Sequence, residues 1–178
     1  MSIVNTFSLQ SNRQIKINFD GGDLSSDAGL LLIKEFAAKI GFTKLIKKKF
    51  KTNDKSIRFH KDHENLLQMI YQIISAYFQD DCADELTWDP VFHAILDKES
   101  LASQPTLSRF FNRMDEDTLI QFDDIDKNLR DTIYSIKRPE HVLLDLDSTL
   151  FDTYGRQEGE GFNFHYQAHG IHYYAMTD

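Results

Sequence analysis

Two carboxylates give this chain its sharpest chemical feature. They lie in LLDLDSTLFDT, residues 143–153. Asp145 and Asp147 are two apart, so on a strand they point to the same face. Paired carboxylates repel unless protons or a cation neutralise them. A divalent ion such as Mg²⁺, or Mn²⁺ in its place, suits two hard oxygen donors. The alternative is that one acid caps the following turn while the other is solvated. A second set of residues has the chemistry to contact phosphate. Residues 41–61 read GFTKLIKKKFKTNDKSIRFHK, with Lys44, Lys47, Lys48, Lys49, Lys51, Lys55, Arg58 and Lys61 against only Asp54. Arg109 and Arg113, four apart, are expected on one helix face. His165, His169 and His172 fall among tyrosines. His165 and His169 would share a strand face, and a Tyr/His-rich sheet surface is preferred there over a metal site.

The bulk properties bound what these residues serve. The chain has 178 residues, 41% of them apolar, with 14 Phe and 7 Tyr, so it can bury a core. A lone Cys82 excludes an internal disulfide framework and a multi-cysteine zinc site. The opening residues alternate polar and apolar, without the apolar run of a secretory signal. No apolar stretch reaches the roughly 20 residues that span a bilayer. A cytoplasmic setting follows as the expectation. The net charge of −8 counts against nucleic acid. The basic window softens that objection, because the field at contact range is set locally. A solvated helix end and loop is the plainer account of the same lysines.

The elements that must position these groups are predicted as follows. IVNTFSL and QIKINF, joined by SNR, form a β-hairpin over residues 3–19. Ser25, Ser26 or Asp27 caps a helix through AGLLLIKEFAAKI, stopped at Gly41. ENLLQMIYQIISAYF, residues 64–78, is apolar on nearly every side and reads as a buried helix. Asp89-Pro90 opens another helix by cap and N1 proline. Ser103 or Gln104 caps a helix from Pro105, and Asp115 caps one that runs to about Ile136. These last two resemble a helix-turn-helix in outline, although plain packing is the preferred reading. Trp88 and the phenylalanines are expected in the core. After Pro139 the pattern changes. HVLLDLD reads as a strand, apolar on both faces, of the kind that is central in an α/β sheet. YGRQEGEGF is turn-rich, and FNFHYQAHGIHYYAM alternates like further antiparallel strands.

Two families place chemistry on such a strand. DLDSTL, residues 145–150, resembles the motif of haloacid-dehalogenase-like phosphatases, which implies Asp145 as nucleophile and Asp147 as acid/base with Mg²⁺. Asp147-Ser148-Thr149 also resembles the first catalytic strand of DDE transposases. That second resemblance runs through the chain. FDGGDLSSDAGLLLIKEFAAKIGF, IYQIISAYFQDDCADELTWDPVF, LASQPTLSRFFNR and LDLDSTLFDTYGRQEGEGFNFHYQAHGIH are similar, in this order, to blocks of insertion-sequence family 1380. The preceding blocks favour the transposase over the phosphatase.

The resemblance implies an α+β chain. An N-terminal, mainly helical DNA-binding or accessory region with the hairpin would occupy residues 1–138. The first strands of an RNase-H-like α/β catalytic domain would occupy residues 139–178. The chain is expected to be truncated there, lacking the second Asp and the Glu of the triad, and inactive alone. Asp147 would be the metal ligand and Asp145 its neighbour, with Mg²⁺ or Mn²⁺ bound. Double-stranded DNA at element ends would meet Lys47, Lys48, Lys49, Lys51, Arg58, Arg109 and Arg113. Self-association and a nucleoid-associated, cytoplasmic location are implied in the same way. A non-catalytic DNA-binding remnant of the family is a third reading.

Overall fold

The computed structural model describes residues 6–19, 25–79, 81–143 and 145–177, and only the backbone at 145–149 and 172–177. The chain is α+β. It divides into two compact units, residues 1–136 and 137–178. Of the expected elements, residues 3–5 of the hairpin, the Gly21-Gly22 turn and Leu144 lie outside the described residues.

The first unit opens with the hairpin. β1 (Thr6–Ser8) pairs antiparallel with β2 (Lys16–Asn18), Phe7 opposite Ile17. The strands are shorter than the alternation suggests. Leu9 N–H already donates to Ile15 C=O (3.2 Å), which closes a loop wider than Ser11-Asn12-Arg13. Helix α1 (Leu30–Lys39) starts later than predicted, and no side chain caps it. The Ser25 hydroxyl instead accepts the Asp27 N–H (3.2 Å), and Leu30 N–H bonds Asp27 C=O (2.9 Å). The candidate caps therefore build a turn before the helix. Gly41 does end it, at φ 74°, a conformation that favours glycine, and α2 (Phe42–Lys49) begins at once.

Helix α3 (Asp62–Ile74) is the hub of this unit. Leu66 and Leu67 pack with Ile46, Phe50, Phe110 and Ile125, while Tyr71 packs with Leu30, Leu31, Val91, Phe92 and Ile95. Each fully buried Phe contributes roughly 1.5–3 kcal/mol by leaving water. Gln68, also buried, exchanges two 2.8 Å hydrogen bonds with the Ala102 backbone. The C-terminal end of this stretch departs from the buried reading. Ile73, Ile74 and Phe78 are exposed.

After α4 (Cys82–Glu85), a 3₁₀ turn (Leu86–Trp88) leads to α5 (Pro90–Leu96). Asp89 caps α5 as predicted, accepting from Val91 and Phe92 N–H at 2.8 and 2.9 Å. Trp88 is 87% exposed and Phe59 78% exposed, which corrects their assignment to the core. Phe50, Phe92 and Phe110 do fill it. Size and apolarity alone do not separate an aromatic on a turn from one on a packed helix face.

Helix α6 (Gln104–Phe111) and helix α7 (Glu116–Ile136) follow. Asp115 caps α7 through Thr118, each backbone N–H meeting the other side chain at 2.9–3.0 Å. The helix-turn-helix outline is present, but α7 carries six carboxylates against Lys127 and Arg130. Such a helix is repelled by a phosphate-lined groove.

In the second unit, β3 (Asp145–Asp152), β4 (Gly161–Asn163) and β5 (Ala168–Thr177) form an antiparallel sheet in the order β3-β5-β4. The turn-rich segment before β4 holds Gly155 and Gly159, both at φ 83°. Gly170 has a different reason to be glycine. A Cβ there would stand 2.3 Å from Phe151 C=O, so only a hydrogen lets β5 approach β3.

Candidate functional site

Asp145 and Asp147 lie on β3, in register with Thr177 and Ala175 of β5. The expected strand was placed too early. Val142 and Leu143 precede it, and Leu143 is 89% exposed. The carboxylates therefore do not close the strand, since residues 148–152 continue it. β5, not β3, is the middle strand of the described sheet. Residues 145–152 pair continuously with 170–177, so the strand runs on past both acids to Asp152. An apolar run alone does not identify a strand's first residue. Both donors are hard oxygens on one strand, a set that fits a divalent cation. Among the described residues no group of three His, Cys, Asp or Glu could hold a metal.

The histidines are distributed differently from the shared face expected of them. His165 lies in the turn between β4 and β5, its ring against Tyr166 at 4.8 Å. His169 is on β5, against Phe162 at 5.2 Å.

The basic residues separate into two groups. Lys47 and Lys48 are exposed on the last turn of α2. Lys49 is held by Asp124 of α7 at 2.6 Å. Lys51 is exposed, and its backbone exchanges hydrogen bonds with Gln121 (2.9 and 3.1 Å). The three arginines form the second group. Arg58, Arg109 and Arg113 line one cleft of about 540 Å³ together with Asp54, Phe59, His60 and Thr106. Arg109 and Arg113 do not share a helix face as predicted, because α6 stops at Phe111 and Arg113 belongs to the turn after it. They remain adjacent, since Arg113 Nη1 donates to Arg109 C=O at 2.9 Å.

The charges of this cleft are mostly matched. Arg58 pairs with Asp54, Arg113 with Asp62 at 3.0 Å, and Lys98 with Glu64 at 2.7 Å. Burial pushes Asp62 up, but hydrogen bonds from Thr52 and the Arg113 guanidinium outweigh it and hold the carboxyl below its ordinary value. Burial, then the nearby Lys98 ammonium, lowers His60 despite Glu64. Burial also lowers His63, opposed by Glu64 and assisted by Lys47, Lys61 and Lys98. Arg109 is exposed and has no ion pair among the described residues. Sequence reasoning missed Phe59, His60, Thr106 and Asp62. The one local signal was Arg58-Phe59-His60-Lys61, an aromatic interleaved with basic groups.

Among the described residues no helix is long and apolar enough to cross a membrane. A family model described as transposase DDE domain group 1 matches residues 7–175, a span that takes in both the arginine cleft and β3. We found no significant match among curated proteins or solved structures.

Proposed function

Because this chain belongs to the transposase DDE domain family, group 1, we propose that it serves the transposition of an insertion sequence of family 1380, binding DNA at the element ends for strand cleavage and transfer. The observation that carries this is the family match over residues 7–175, which includes the helical unit ahead of the carboxylates as well as β3. A phosphatase reading of DLDSTL leaves that helical unit without a role.

Within this reading Asp147 is the metal ligand and Asp145 its neighbour on β3. Their oxygens would hold a divalent cation, Mg²⁺ with Mn²⁺ as substitute. When bound, such a cation neutralises charge that develops at the reacting phosphorus and its oxygens. The chain's own contribution is positioning. The continuous pairing of β3 with β5 fixes the backbone that carries both acids. The lysines at the end of α2 and the arginines of the cleft supply cations for the DNA backbone, which sets register without reading sequence. Self-association on two DNA ends and a nucleoid location belong to the same proposal.

The test is excision of a marked element in cells that express the protein at its natural length. Asp147→Ala is expected to abolish excision at undiminished protein level, and Asp152→Asn to leave it. Excision that survives Asp147→Ala removes the proposed role of β3.

A further inference from the structure

We propose that the cleft between the 54–60 loop and α6 takes one unpaired nucleotide of DNA, its phosphate on Arg109 with Arg58 and Arg113 beside it, its base on the ring of Phe59. This rests on the DNA-binding reading and goes further by naming the form of DNA the cleft accepts.

Charge, shape and an exposed ring all bear on it. Arg58 and Arg113 are each matched by a carboxylate, whereas Arg109 has no ion pair among the described residues. The surplus is one positive charge, which is what one phosphodiester carries with opposite sign. Arg113 also lines the cleft, where Asp62 holds its guanidinium in place beside Arg109. The volume of about 540 Å³ leaves room for one base beside the phosphate contact that either form of DNA can make at Arg109.

Phe59 is the second part of the site. The residue is 78% exposed, and its ring meets His60 edge-on (4.8 Å, 89°), with the Lys98 ammonium 5.9 Å from its centroid. A held aromatic with open area beside a free guanidinium is the combination that single-stranded sites use, one surface for a base and one for its phosphate. A base inside a continuous duplex already has neighbours on both faces and gains nothing from Phe59. Near this loop, Asn53 Nδ2 donates to Asp115 and Asp117 at 2.7 and 2.9 Å. Those carboxylates repel a long run of backbone and favour a point contact.

The experiment is fluorescence anisotropy with a labelled single-stranded oligonucleotide and a perfect duplex of equal length. The proteins are wild type, Phe59→Ala, Phe59→Trp, Arg109→Gln and Phe78→Ala, the last an exposed aromatic outside this cleft. Circular dichroism and thermal melting confirm that each folds. Phe59→Ala is expected to weaken single-strand binding about tenfold, the scale of one lost base stack, and to leave duplex binding unchanged. Phe59→Trp restores it, Arg109→Gln weakens both forms, and Phe78→Ala changes neither. Duplex binding with no effect of Phe59→Ala on the single strand, or an equal loss on both forms, overturns the nucleotide site alone. Retention of neither form by the wild type overturns the DNA-binding reading with it.

Discussion

Arg109 and Arg113 are neighbours in space with different duties. Arg113 and Asp62 expose only 14% and 13% of their side chains and meet at 3.0 Å. Removing one partner leaves the other charge in a poorly solvated place. Arg113→Ala is expected to cost about 3 kcal/mol in urea unfolding. Arg109→Ala, at an exposed and unmatched cation, should change stability by less than about 0.5 kcal/mol. Equal losses in the two variants would contradict the division between a structural and a contacting arginine. The pH dependence follows from His60 and His63, whose imidazoles are held below their ordinary value. The unfolded chain then binds more protons than the folded one from about pH 6.5 downward. Stability is full above that point and declines as pH falls through the lower folded values. Asp62, also lowered, adds a further loss once pH drops below about 3.9. A urea midpoint that stays level from about pH 7 to about pH 5 would refute the histidine part.

Elements were legible where their chemistry is local. Asp89-Pro90 and Asp115 announce helix starts because a cap, its N–H partners and the proline lie within four residues. Asp89→Ala should cost about 1 kcal/mol, measured as a shift in thermal midpoint without loss of the fold. The start of α1 was not legible. Ser25, Ser26 and Asp27 all have capping chemistry, and the Ser25 hydroxyl is taken by the Asp27 N–H of a preceding turn. Nor was the extent of β3, since Val142 and Leu143 look like strand yet lie outside it, while the pairing with β5 carries it on to Asp152. Gly170 shows the same limit. Nothing local distinguishes it, yet the backbone of β3 would lie 2.3 Å from an added Cβ. Gly170→Ala is expected to separate β3 from β5. Amide hydrogen exchange should then speed up across residues 145–152, and unchanged protection there would contradict the register.

On the scale of the whole molecule, the candidate site was legible only in part. The acidic pair could be read because its members are two residues apart. The cleft could not, because Asp54, Phe59 and His60 meet Thr106, Arg109 and Arg113 across roughly fifty residues of chain, and only folding around α3 joins them. The net charge of −8 also conceals local cations, since Lys47 and Lys48 remain exposed at the end of α2 although α7 beside it is acidic. Duplex affinity should therefore fall steeply as salt rises, and Arg109→Gln should reduce the slope of log K against log salt by about one. Binding that ignores salt would count against these cations as phosphate contacts. The central claim concerns β3, and direct metal binding tests it most closely. Mn²⁺ titration followed by electron paramagnetic resonance, with Mg²⁺ as competitor, should show an ion whose affinity drops about tenfold or more in Asp147→Asn. Asp152→Asn should leave it unchanged. Mn²⁺ bound equally by wild type and Asp147→Asn would contradict the assignment of Asp147 as the metal ligand.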